Sequence, residues 1–167
     1  ILNQYEVLKN QLNPHMLFNS LNTLRSLVRE DQDKAQEYIQ ELSRVLRYTL
    51  QGNDSKSVTL RDEMEFVSAY IFLLKMRFED NLSFDIRIDK QYDDHRLPPM
   101  AVQMLIENAV KHNEISDRRP LSIRVYTEGE ELVVTNPVQP KLTATAGTGV
   151  GLANRAKRYH PVSYTHL

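Results

Sequence analysis

The chain has 167 residues, no cysteine, and 21 basic against 22 acidic side chains for a formal charge of -1. That length suits one ordinary domain, or a small helical unit joined to a compact α/β unit. The balanced charge gives no footprint for duplex DNA or an anionic membrane, and the missing cysteines remove disulfide frameworks and thiolate metal sites while remaining compatible with a reducing cytosol.

No run approaches the roughly 18 uninterrupted apolar residues of a membrane span, no signal peptide opens the chain, and the five histidines are too scattered to suggest zinc. Ile1-Leu2 already lies inside a helical pattern, so the sequence reads as a piece of something longer. Asn13-Pro14-His15-Met16-Leu17-Phe18-Asn19 then sets a histidine beside a proline at the head of an amphipathic helix. Leu17, Leu21, Leu24 and Val28 recur at helical spacing, while His15, Asn19, Asn22, Ser26 and Arg29 fall on another side. His15 is therefore expected to face outward. A neutral imidazole, with an ordinary pKa of about 6.5, is a competent nucleophile for a phosphoryl group. The alternative for a lone helical histidine is a surface or packing role.

Arg29 to Lys34 is a charged turn, after which Ala35, Tyr38, Ile39, Leu42, Leu46 and Thr49 mark a second amphipathic helix. The pair predicts a helical hairpin whose uncovered apolar stripes are buried by self-association into a four-helix bundle, a homodimer. Gly52-Asn53 stops the second helix and Asp54 to Ser57 is the expected linker. Thr59 with Asp62 resembles a capping box, and Met64, Val67, Ile71, Leu74 and Phe78 carry a third helix to about residue 79. Leu82, Phe84, Ile86 and Ile88 alternate as a strand does. Pro98-Pro99 opens a fourth helix with a core face of Val102, Leu105, Ile106, Ala109 and Val110. Its polar side sets Gln103, Glu107 and Lys111 in one row and Asn108 and His112 in the next.

Leu121, Ile123 and Val125, the turn at Glu128-Gly129-Glu130, and Leu132 and Val134 predict an antiparallel hairpin ended by Asn136-Pro137. Pro137 to Thr148 reads as a mobile loop leading to Gly147-Thr148-Gly149-Val150-Gly151 and a helix from about Leu152. Three alternate glycines before a helix allow a polyphosphate to approach the backbone and the helix N-terminus, although most Gly-rich loops only make turns. The spacing matches neither a dinucleotide fingerprint nor a Walker loop. Asn108 offers an amide oxygen to Mg²⁺ carried by nucleotide phosphates, and Lys111 or His112 could sit against phosphate oxygens; the alternative is an ordinary solvated helix face.

Asn13 to Asn22 resembles the N-P-H-F-L-F-N phosphoacceptor box of sensor histidine kinases of the LytS/YehU type. Pro98 to His112 resembles that family's N box, and Gly147 to Arg155 its second glycine box, in matching order and spacing. The segment Thr59 to Phe78 is similar to the family's connecting helix. The resemblance implies an α+β fold, with residues 1–53 as a dimerising and phosphoacceptor hairpin and 58–160 as a GHKL-type α/β sandwich with a mixed sheet. It also implies that ATP phosphorylates His15 with Mg²⁺ present, and that a response-regulator receiver aspartate takes the phosphoryl group, any DNA contact belonging to that partner. By carry-over Asn108 is the Mg²⁺ ligand and Glu107 orients or deprotonates the imidazole. Lys111 and His112 approach the phosphates, while Gly147, Gly149, Gly151 and Asn154 belong to the nucleotide site. Sensor and membrane segments would lie outside these residues, leaving this portion cytoplasmic.

Three departures accompany the resemblance. Met16 replaces a phenylalanine of similar size. Asn136-Pro137 stands where histidine kinases have Asp and Gly, so a neutral amide oxygen would accept the adenine hydrogen bond. Residues 161–167 depart from the family pattern, which predicts a truncated or non-native tail and a sheet lacking its last strands. Two other readings remain open: a nucleotide-binding dimeric scaffold without phosphotransfer, and a GHKL-type ATPase.

Overall fold

A computed structural model describes residues 14–51, 56–141 and 160–163, with side chains described at 16–51 and 56–141. Helices α1 (Pro14–Glu30) and α2 (Gln32–Gln51) form a hairpin with Asp31 alone between them. Asp31 makes the turn by accepting the Lys34 amide on its side chain at 3.1 Å, which caps α2. The charged turn expected over 29–34 is thus a single residue within otherwise continuous helix.

Strand β1 (Val58–Thr59) leads into α3 (Leu60–Phe78), and the expected cap is present: Thr59 Oγ1 accepts the Asp62 amide at 3.2 Å. Strand β2 (Leu82–Arg87) follows, then β3 (Arg96–Leu97), which pairs antiparallel with β1 as a two-stranded clip. Helix α4 (Ala101–His112) starts three residues after Pro98, so the prolines occupy the turn before it and Met100, at φ 65°, is its cap. Strands β4 (Leu121–Glu128) and β5 (Glu131–Thr135) form the expected hairpin. Gly129, at φ 60°, supplies its turn.

The main sheet has the order β2-β4-β5-β6, with β6 at His160–Ser163. β2 and β4 run parallel and the other neighbours antiparallel, so the sheet is mixed, and α4 lies in the β2-to-β4 crossover. β6 adds a strand where the sheet was expected to stop. Pro161 lies opposite Val133 in this edge strand, a position where a missing N–H is tolerated.

Leu82, Leu121, Ile123, Val125, Leu132 and Val134 line the buried sheet face under α3 and α4. Ser122 and Arg124 alternate outward from β4. α3 packs against both the hairpin and β2, and its Phe66, Tyr70, Leu73 and Leu74 are buried in the core cluster that joins them.

The face of α1 differs from its expected one. Met16, Leu24 and Leu27 pack toward the core with buried Ser20, whereas Leu21 and Val28 are 50 % exposed and Phe18 is 67 % exposed. In α2, Ala35, Tyr38, Leu42, Val45 and Thr49 are buried while Ile39 is exposed. Both helices carry apolar residues on more than one side, and periodicity does not say which side meets the rest of the chain. No helix among the described residues is long and apolar enough to cross a membrane.

Candidate functional site

Helix α4 presents its polar residues on two rows, and the fold treats the rows differently. Gln103 is buried, and its Nε2 donates to Glu107 Oε2 at 2.9 Å. Glu107 is half-buried, Lys111 is exposed, and both border a cavity of about 650 Å³ between α4, α3 and α1. Met16 and Asn19 enter this cavity from α1, and Tyr70 and Arg77 from α3. Asn19, assigned to the outward side by periodicity, therefore faces inward. His15 precedes Met16 in α1, but its side chain lies outside the described residues.

Burial raises the Tyr70 hydroxyl well above its ordinary range and the nearby Glu107 charge adds to this, while a hydrogen bond with Gln103 works against both. Burial also lowers the Arg77 guanidinium from its ordinary value, with Tyr38 and Tyr70 opposing. Tyr38 is likewise raised by burial, against hydrogen bonds from Ser20 and Thr23. One end of the cavity is thus a tyrosine-and-amide wall that holds Glu107 in place, and the other is the amphipathic start of α1.

Asn108 and His112, the second row, are exposed and do not line this cavity. Asn136 follows the end of β5, and its Nδ2 donates to the carbonyl of Pro137 at 2.8 Å. Of the segment Pro137 to Thr148, expected to be a mobile loop, residues 137–141 are described and are tied to the end of α4, while 142–148 lie outside the described residues. Buried Asn113 accepts the Gln139 amide at 3.0 Å on its side-chain oxygen and donates to Ala109 O at 2.8 Å. Gln139 Nε2 in turn donates to the carbonyls of Glu114, Arg119 and Pro120. This clasp ties the Asn136 strand end to the helix carrying Glu107 and Asn108. Sequence reading missed it, since neither Asn113 nor Gln139 belongs to a periodic pattern.

Gly147, Gly149, Gly151 and Asn154 lie outside the described residues, so their place relative to α4 is not part of this geometry. Among the described residues no three His, Cys, Asp or Glu side chains form a metal cluster.

A family model described as histidine kinase matches residues 3–82. The sensor histidine kinase BtsS of Escherichia coli K12 is 34 % identical over 162 residues, covering 93 % of this chain and 28 % of BtsS. The sensor protein LytS of Staphylococcus epidermidis is 34 % identical over 167 residues, covering 90 % of this chain and 28 % of LytS. LytS of Streptococcus agalactiae serotype V is 32 % identical over 186 residues, covering 98 % and 32 %. The chain therefore spans under a third of the length of these relatives.

Proposed function

Because the chain belongs to the sensor histidine kinase family of the LytS type, we propose that it is the catalytic region of an ATP-dependent protein-histidine kinase that phosphorylates itself on His15. The observation that carries this reading is the shared cavity: the phosphoacceptor helix reaches it through Met16 and Asn19, and α4 reaches it through Glu107 and Lys111. A ring nitrogen of His15 attacks the γ-phosphorus, the P–N bond forms as the bond to the bridging oxygen breaks, and ADP leaves. Glu107, held by Gln103, takes the ring proton or orients the imidazole. Lys111 and His112 offset phosphate charge, and Asn136 accepts from the adenine amino group through its neutral amide oxygen.

Mg²⁺ arriving with the nucleotide would neutralise developing charge. The exposed amide of Asn108, one residue from Glu107, suits such an ion. Gly147, Gly149, Gly151 and Asn154 complete the nucleotide site in this reading. The mixed sheet with α3 and α4 on its buried face supports a GHKL-type sandwich over 58–160. Exposed Phe18, Leu21, Val28, Ile39 and Leu50 on the hairpin support a homodimer. The phosphoryl group then passes to an aspartate of a response-regulator receiver domain, and membrane attachment belongs to segments outside this chain.

The test is incubation with γ-labelled ATP and Mg²⁺ followed by a receiver domain. Acid-labile, alkali-stable label that moves to the receiver is expected, and His15→Gln should lose the label while still binding ATP. Label persisting in that variant refutes the role of His15. ATP binding without label in either protein would favour the silent scaffold.

A further inference from the structure

The N-terminus of α4 is capped by another helix. Met100 precedes the helix at φ 65° and makes no side-chain cap hydrogen bond, so its own residue supplies nothing to the unpaired amides. Glu63 of α3 supplies the acceptors instead: Oε1 accepts the Met100 amide at 3.0 Å and Oε2 accepts the Val102 amide at 3.0 Å. A third donor comes from the hairpin, where the Tyr48 hydroxyl of α2 donates to Oε1 at 2.6 Å. Tyr48 also stacks on Phe66 of α3, with ring centroids 4.3 Å apart.

Glu63 is 0 % exposed, so each of these donors compensates for removing a carboxylate from water. Burial still outweighs them and raises its pKa above the ordinary carboxylate value. A negative group at this place is favoured by the helix dipole, and it also makes the start of α4 depend on two distant segments. Tyr48 and Met100 bind the same oxygen. Any shift of α2 along α3 that draws the hydroxyl away therefore changes how that oxygen holds α4.

We propose that Glu63 is a positioning residue for α4, and that Tyr48 is the contact through which displacement of the hairpin is passed to the row Gln103, Glu107 and Lys111. This rests on the kinase reading for its catalytic readout. The first helix of the hairpin carries the proposed phosphoacceptor, so this hydroxyl on its second helix ties the hairpin, through Glu63, to the helix carrying the proposed proton acceptor Glu107. The linkage bypasses the segment between α2 and β1, since it runs through packed side chains.

The experiment compares the protein with its Tyr48→Phe and Glu63→Gln variants, measuring autophosphorylation kcat, KM for ATP, and hydrogen exchange at the amides of residues 100–104. Tyr48→Phe keeps the ring stack and removes one charge-assisted hydrogen bond. It should lower kcat by roughly tenfold, leave KM within about twofold, and speed exchange at Met100 and Val102. Glu63→Gln cannot accept at both oxygens and should change kcat and KM together. Unchanged kcat and unchanged exchange in Tyr48→Phe, with only a lower melting temperature, would overturn the proposal. Absence of phosphohistidine in the unaltered protein would instead sink the kinase reading, and exchange at residues 100–104 would then decide the coupling alone: faster exchange supports it, unchanged exchange overturns it.

Discussion

The hairpin and the α/β region solve the burial problem in different ways. Of the seven large apolar side chains exposed among the described residues, five belong to the hairpin: Phe18, Leu21, Val28, Ile39 and Leu50. The α/β region instead encloses Leu82, Leu97, Val102, Ile106, Ile123, Val125 and Leu132 completely. The hairpin buries one stripe against α3 and leaves another exposed; if a second copy covers that stripe, as proposed, the hairpin's stability should depend on concentration while that of the α/β region should not.

Four experiments sharpen or break that contrast. The largest effect is expected from Ile106→Ala, which removes a fully buried side chain and should cost about 2–5 kcal/mol by chemical denaturation at any protein concentration. Leu21→Glu with Val28→Glu should weaken self-association by about 3 kcal/mol in sedimentation equilibrium, with unchanged unfolding of the dilute monomer. Dimer affinity untouched by that pair would remove the exposed stripe from the interface. Gln139→Ala, which opens the clasp on α4, should cost about 1–3 kcal/mol and speed exchange over 113–120 more than in the hairpin.

The smallest effect is a pH dependence at the seam between the regions. Burial raises the folded-state pKa values of Tyr38, Tyr48 and Tyr70 above the ordinary value near 10. The unfolded chain therefore loses these protons first, so the stability they contribute is complete below about pH 10 and declines as pH rises toward the folded values. Tyrosinate absorbance should show a late-ionising fraction from Tyr38, Tyr48 and Tyr70, together with loosening of α2 from α3. Ionisation of these three near pH 10 would contradict the buried seam.

Long periodic segments were legible in the sequence because one period decides both element and buried face. The α3 stripe, the β4–β5 hairpin and the α4 core face emerged in this way. Faces shifted where a helix is apolar on two sides: α1 turns Met16 and Leu27 inward beside the expected Leu24, and leaves Leu21 and Val28 of the stripe read from spacing exposed. The β1–β3 clip is two residues per strand, too short for any period, and the parallel pairing of β2 with β4 is a tertiary fact. At the site, the motifs identified Glu107 and Lys111, which do share a cavity with the start of α1, but gave no sign of Tyr70 or Arg77 in its wall. Glu63 was invisible for a different reason. An acidic residue early in an amphipathic helix reads as solvated, and only donors 15, 37 and 39 positions away make it a buried acceptor.

In the proposed reaction a phosphoryl group from ATP comes to rest on one imidazole, that of His15. Trypsin should release residues 10–25 as one peptide whose only histidine is His15. Mass spectrometry under alkaline conditions after incubation with MgATP should find the added phosphate on that peptide, with fragment ions assigning it to His15. Phosphate on Ser20 or Thr23, or on any other peptide, would contradict the account.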